Sequence, residues 1–140
     1  MAEVALKQKI TTFLTFASGG AEEAMNLYTS LFKDSEVLGI RRYGPDEGGG
    51  AEGSVMHATF SIQGQQFMCI DSNVGHEWTF TPAVSLYALC DSEEEIDRLF
   101  ERLSDGGQVF MELDGYPFAE KFAWIADRFG VSWQLAFGRK

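Results

Sequence analysis

The residues to which chemistry could be assigned in this chain are few. It has two histidines, two cysteines and a scatter of carboxylates. His57 stands between Met56 and Ala58 in an apolar, β-prone run, where it can line a cleft as a hydrogen-bond donor or act as a general base tuned by burial. The competing reading is a core histidine with a satisfied ring. His76 falls in Ser72-Asn73-Val74-Gly75-His76-Glu77-Trp78, a segment expected to be exposed to solvent. A His57/His76/Cys69 metal set is conceivable, but has no recognised spacing. Cys69 lies in Phe67-Met68-Cys69-Ile70 and Cys90 closes Leu86-Tyr87-Ala88-Leu89-Cys90, both apolar runs that predict buried, free thiols. Cys69 could meet His57 across neighbouring strands, yet nothing predicts a helix N-terminus beside it to stabilise a thiolate. No Gly-x-Ser-x-Gly elbow is present.

Aromatic residues are the more positive signal. Phe occurs twelve times. Tyr87, Trp124 and Trp133 fall in strand-like runs, with Trp78 and Phe80 between two such regions. Several rings lining one cleft would suit a flat organic molecule.

The elements that must position these residues can be read from periodicity. Ile10 to Phe16 is β-branched and aromatic, and Ser18-Gly19-Gly20 breaks it. Apolar residues then recur at Ala24, Leu27, Tyr28, Leu31 and Phe32, one face of an α-helix, with Glu22 and Glu23 in its first turn and Lys33 near its end. Strands are predicted over Val37 to Tyr43, Val55 to Ile62 and Gln66 to Ile70. Gly44 to Gly53, with five glycines, reads as a mobile loop able to act as a lid. Gln63-Gly64-Gln65 reads as a hairpin turn.

The same order then returns. A strand over Ala83 to Cys90 precedes Ser92-Glu93-Glu94-Glu95, a capping box. The helix behind it has Ile96, Leu99, Phe100 and Leu103 on one face and ends at Gly106-Gly107. Strands are predicted at Gln108 to Leu113, Lys121 to Ala126 and Val131 to Phe137. Glu22-Glu23-Ala24 overlays Glu94-Glu95-Ile96, Leu27-Tyr28 overlays Leu99-Phe100, and Gly64-Gln65-Gln66-Phe67-Met68 overlays Gly130-Val131-Ser132-Trp133-Gln134. A duplicated βαβββ unit follows. The expectation is an α+β chain forming a single domain over 1–140, with a first module at about 9–72, a connector at about 73–81 and a second module at about 82–138. Helices would cover one face of each sheet, leaving the opposite faces to curve around a cleft. A plain α+β domain without a cleft is the rival.

Charge narrows the partners. The net charge of −10 would repel phosphate backbones, which argues against nucleic acid. No apolar run reaches membrane-spanning length and no secretory signal opens the sequence, so cytoplasmic protein with reduced cysteines is expected.

Lys9-Ile10-Thr11-Thr12-Phe13-Leu14-Thr15-Phe16, followed by Ala21-Glu22-Glu23-Ala24-Met25-Asn26-Leu27-Tyr28, resembles the opening of PhnB-like proteins. This group is also known as 3-demethylubiquinone 3-methyltransferase-like and belongs to the vicinal oxygen chelate (glyoxalase/bleomycin resistance) superfamily. Met56-His57-Ala58, Gly64-Gln65-Gln66-Phe67-Met68 and Trp124-Ile125-Ala126-Asp127-Arg128-Phe129-Gly130-Val131-Ser132-Trp133-Gln134 extend the resemblance over nearly the whole chain. It implies paired βαβββ modules with cupped mixed sheets, and usually a homodimer. A methyltransferase needs an S-adenosylmethionine site, commonly a glycine-rich turn in a doubly wound sheet. Ser18-Gly19-Gly20 lacks that setting and reads as a loop and helix cap.

Metalloenzymes of the superfamily take His, Glu or Gln ligands from the first and last strand of each half. The resemblance puts those positions at Met68 and Gln134, near Ser85, and at Thr11, Thr12 or Phe13. A thioether and one neutral amide make a poor set for a divalent ion, so no catalytic metal and no cofactor are expected. The functional expectation is a homodimer that binds a small organic molecule, with His57, Met68, Ser85, Tyr87, Trp124 and Gln134 lining the pocket. A metal-dependent enzyme, a metal-free enzyme centred on His57, and a dimer that only binds partners are the alternatives.

Overall fold

The computed structural model of this 140-residue chain describes residues 4–46, 48, 50–72 and 74–139. It divides into two compact units, Met1–Thr79 and Phe80–Lys140, each with the strand-helix-strand-strand-strand order that the repeat predicts.

In the first unit β1 (Thr12–Phe16), α1 (Ala21–Leu31), β2 (Ser35–Arg42), β3 (Val55–Ile62) and β4 (Gln65–Asp71) form a sheet of order β1-β4-β3-β2. The β1–β4 pair is parallel and the others antiparallel, so the sheet is mixed. The helix buries the apolar stripe read from its sequence, with Ala24, Leu27, Tyr28 and Leu31 all inside. It lies on the sheet face that carries Leu14, Phe16, Ala58, Phe60, Phe67 and Cys69. Phe60 and Phe67 stack there at 5.2 Å. Each buried Leu or Phe side chain there contributes about 1.5–3 kcal/mol by leaving water. β3 and β4 are joined by two residues only, Gln63 (φ 53°) and Gly64 (φ 84°). Two successive positive φ values are those of a type I′ turn, whose twist matches the flanking strands.

The second unit repeats the plan with β5 (Ser85–Cys90), α2 (Glu93–Ser104), β6 (Gln108–Tyr116), β7 (Ala119–Ala126) and β8 (Ser132–Arg139), in sheet order β5-β8-β7-β6. α2 buries Ile96, Leu99 and Leu103 completely. Ser92 is its N-cap, accepting from the Glu95 backbone N–H at 3.1 Å. Glu95 reaches back to the backbone N–H of Asp91 at 2.6 Å, one residue beyond the usual partner in a capping box. Lys121 on β7 bonds Asp97 of α2 at 2.9 Å, which marks the face of the sheet that the helix covers.

Element ends differ from the sequence expectation in instructive places. β1 starts at Thr12 rather than Ile10, which is 86% exposed. Lys33 lies beyond the end of α1, so it does not stabilise the helix's last turn. β6 and β7 run on to Tyr116 and from Ala119, because Tyr116, Phe118 and Phe122 pack on one another across their turn. Glu47 and Gly49 of the expected lid, and Asn73 of the connector, lie outside the described residues. The base of the Gly44 to Gly53 loop is closed by bonds between Tyr43 N–H and Ser54 C=O and between Gly53 N–H and Tyr43 C=O.

Candidate functional site

In a sheet, residues paired across strands share a face, and faces alternate along each strand. Applied to the second unit, this rule resolves the sheet face turned away from α2 into rows. One row is Ser85, Ser132 and Ala126. The next is Tyr87, Gln134, Trp124 and Met111. A third holds Leu89, Ala136 and Phe122. Four of the six expected pocket residues, Ser85, Tyr87, Trp124 and Gln134, are therefore neighbours on this one face.

The polar atoms of these rows are connected. Trp124 Nε1 donates to Ser132 Oγ at 2.9 Å. Ser132 Oγ lies 2.7 Å from Ser85 Oγ, and Gln134 Nε2 donates to Ser85 Oγ at 3.3 Å. Ser132 is 1% exposed, whereas Tyr87 is 55% exposed. Gln134 sits between Tyr87 on β5 and Trp124 on β7, so one amide is flanked by two aromatic side chains. Tyr87 also faces Phe122, at 6.4 Å between ring centroids.

The segment that carries the most specific part of the family resemblance holds this arrangement from below. Asp127, 3% exposed, accepts from Phe129 N–H at 2.9 Å, Val131 N–H at 3.0 Å and Trp133 Nε1–H at 3.0 Å. Gly130 follows with φ 94°. The carboxylate thus closes the connection from β7 to β8 and sets Trp124 and Gln134 in register on either side of it. Trp133 points to the helix side, 2% exposed, and is core.

His57 and Met68 belong to the first unit, on the face of its sheet turned away from α1. The row matching Tyr87-Gln134-Trp124 is Phe13-Met68-Thr59. Thr12 pairs with Phe67 and so faces the helix side, which leaves Phe13 and, by alternation, Thr11 as the first-strand residues on the other face. His57 is exposed rather than buried, 6.3 Å from the Phe13 ring. Cys69 is fully buried on the opposite face, which rules out the His57–Cys69 pair. His76 is half-buried rather than solvent-facing, 2.6 Å from Ser72 Oγ through Nε2 and stacked on Trp78 at 4.0 Å.

The first unit spends its equivalent polar position differently. Gln66, the counterpart of Ser132, accepts from Lys7 N–H at 2.5 Å and donates to Ala5 C=O at 3.1 Å. The Gln8 amide bonds both the N–H and the C=O of the Gln66 backbone. Thr11 Oγ1, the counterpart of Ser85, is buried with no hydrogen-bond partner among the described residues.

Both cysteines are free and buried. Burial pushes the Cys69 thiol up to about 12, with Asp71 adding to the effect. Burial does the same to Cys90, to about 12, helped by Glu95 and Asp91. Neither is poised as a nucleophile at neutral pH. Nor is the α1 N-terminus open to a phosphate or carboxylate ligand. The Asp71 carboxylate already accepts from Ala21 N–H at 2.8 Å there, and from Val55 N–H at 2.8 Å.

The donor set at the superfamily's ligand positions does not fit a catalytic divalent ion. It offers the Met68 thioether, the Ser85 hydroxyl, a Gln134 amide turned through its nitrogen toward Ser85, and Thr11 or Phe13. Among the described residues no three His, Cys, Asp or Glu side chains gather as a ligand group.

Known proteins agree with this architecture. The model of a family described as 3-demethylubiquinone-9 3-methyltransferase matches residues 8–136. A Bacillus cereus structure, described as a 3-demethylubiquinone-9 3-methyltransferase and PhnB protein, is 57% identical, covering 94% of this chain and 100% of that one with a TM-score of 0.89. A Pseudomonas aeruginosa protein is 26% identical, covering 96% and 100% with a TM-score of 0.79. A glyoxylase/bleomycin resistance protein/dioxygenase domain from Frankia, 16% identical over 97% and 95% with a TM-score of 0.62, shares the fold. No curated protein matches.

Proposed function

Since the chain belongs to the 3-demethylubiquinone-9 3-methyltransferase, or PhnB-like, family, we propose that it binds a small, flat organic molecule through the helix-free face of its second unit, without a catalytic metal. One observation carries the reading. A linked set of polar atoms on Ser85, Ser132, Gln134 and Trp124 lies beside the half-exposed ring of Tyr87, on the sheet face turned away from α2. Apolar walls with a few fixed polar groups are the usual composition of such sites. His57 and Met68, on the face of the first unit's sheet turned away from α1, are that unit's ligand-binding residues in this reading.

The family's methyltransferase title has little support from the chain itself. Its two sheets are mixed, not doubly wound, and Gly20 after Ser18-Gly19 serves as the α1 N-cap with the Asp71 carboxylate on the next N–H. The proposal places the protein in the cytoplasm, in keeping with its free buried thiols. It also takes the protein as a homodimer, the usual assembly of the family it resembles. No helix among the described residues is long and apolar enough to cross a membrane.

A thermal-shift screen of flat heteroaromatic and quinone compounds tests the proposal. Compounds that raise the melting temperature of the wild type should fail to do so for Trp124→Ala and Tyr87→Ala. A screen in which no compound stabilises the wild type would sink it.

A further inference from the structure

We infer that the second unit reads a lactam or another paired carbonyl and N–H group, through a directional pair formed by the Ser85 hydroxyl and the Gln134 carbonyl oxygen. The inference rests on the binding proposal above and specifies the ligand of that site.

The count of hydroxyl hydrogens and lone pairs sets the direction of this pair. A hydroxyl has one hydrogen to donate and two lone pairs to accept with. Ser132 Oγ accepts from Trp124 Nε1–H, an N–H that can only donate. Ser132 is buried, and its own hydrogen needs an acceptor. Ser85 Oγ, 2.7 Å away, is the one at hand, so the hydrogen runs from Ser132 to Ser85. Ser85 Oγ also accepts from Gln134 Nε2. Its lone pairs are then used, and its O–H is left with no acceptor among the described residues. On Gln134, Oε1 is left with no donor among them. Indole, hydroxyl and hydroxyl thus form a relay that fixes the direction of the last O–H. A hydroxyl donor and an amide acceptor stand side by side at the surface of the sheet.

The complement is an acceptor adjacent to a donor on a neutral, flat frame. Neutrality follows because Ser85, Ser132, Tyr87, Gln134, Trp124 and Met111 include no cation to balance a carboxylate or phosphate. Flatness follows from Tyr87 and Trp124 on either side of the amide. A lactam meets both demands, its C=O accepting from Ser85 and its N–H donating to Gln134 Oε1.

Two isosteric probes separate the possibilities. 2-Quinolone carries C=O and N–H, and coumarin replaces that N–H with an oxygen. Dissociation constants from ligand-observed NMR should favour 2-quinolone by about tenfold, the consequence of setting an acceptor against the Gln134 amide oxygen. Gln134→Met, which installs the residue found at the matching Met68, should bring the ratio close to one. Ser85→Ala should weaken both probes alike and leave the ratio. Coumarin binding as tightly as 2-quinolone would overturn the inference, because it would mean that Gln134 presents its N–H₂ group outward. A wild-type preference that survives Gln134→Met in a variant with an unchanged circular dichroism spectrum would overturn it too. If neither probe binds but other flat compounds do, the lactam assignment fails and the binding proposal stands. If no flat compound binds, both fail.

Discussion

Replacing Asp127 with alanine should be among the most damaging single changes in the second unit. The carboxylate, 3% exposed, accepts three hydrogen bonds at 2.9–3.0 Å, two from the backbone of its own turn and one from the indole of Trp133. A hydrogen bond to a charged group contributes about 1.5–3 kcal/mol. The three do not add, because Phe129 N–H is only part-buried and can turn to water when released. A loss of about 3–5 kcal/mol is the reasoned figure. Asp127→Asn keeps the shape and one acceptor oxygen, but sets an amide N–H₂ group against either a backbone or an indole donor, for a loss of about 2 kcal/mol. Trp133→Phe removes one donor, and combining it with Asp127→Asn should cost less than the sum of the two by about 1 kcal/mol. Urea unfolding followed by circular dichroism gives each number from the midpoint and slope. An Asp127→Ala variant within about 0.5 kcal/mol of wild type, at unchanged slope, would refute the fastening role given to this residue.

Three further outcomes are expected. The folded-state pKa values of Cys69 and Cys90 are raised by burial to about 12 from an ordinary 9.0, so the fold holds the protonated thiols. The thiols' contribution to stability should be fully present below pH 9.0 and be lost as pH rises from there toward 12, and a disulfide reagent at pH 8 should modify neither thiol until the protein is unfolded. Ser92→Ala removes the α2 cap and should cost about 1 kcal/mol in denaturant titration, whereas Ser92→Asp should be nearly neutral. Gly107→Ala should destabilise by more than about 1 kcal/mol, since a Cβ at Gly107 would collide with the carbonyl oxygen of Ala126 on the neighbouring strand, while Gly48→Ala meets open space and should be silent.

Much of the architecture could be read from the sequence because periodicity encodes it. The stripes Ala24-Leu27-Tyr28-Leu31 and Ile96-Leu99-Leu103 are the faces the helices bury, and the matched order of the halves carried the sheet topology with it. Alternation of two along β8 was also enough to put Gln134 opposite Trp133. It did not identify Ser132, since a small polar residue in a strand looks like any filler. The available signal was that Ser132 shares a face with Gln134 and could stand opposite Ser85. The role of Asp127 is not legible in the sequence, because which donors surround a turn carboxylate depends on how the chain doubles back. The exposure of His57 was equally hidden. Its neighbours Met56 and Ala58 look like core, but His57 alternates onto the face turned away from α1 and only Ala58 is buried. The first-strand register was ambiguous over Thr11, Thr12 and Phe13, and only the pairing with β4 removes Thr12.

The unequal use of one position in the two units bears on stoichiometry. A duplicated fold could carry two equivalent receptors. Here Gln66 is tied to Ala5, Lys7 and Gln8, while Ser132 hands its hydrogen outward to Ser85. If the second unit alone kept the recognition pair, saturation should come at one molecule per chain, with a single-step isotherm. The duplication would then be a division of labour, one copy holding the segment that precedes β1 and the other left to face a guest.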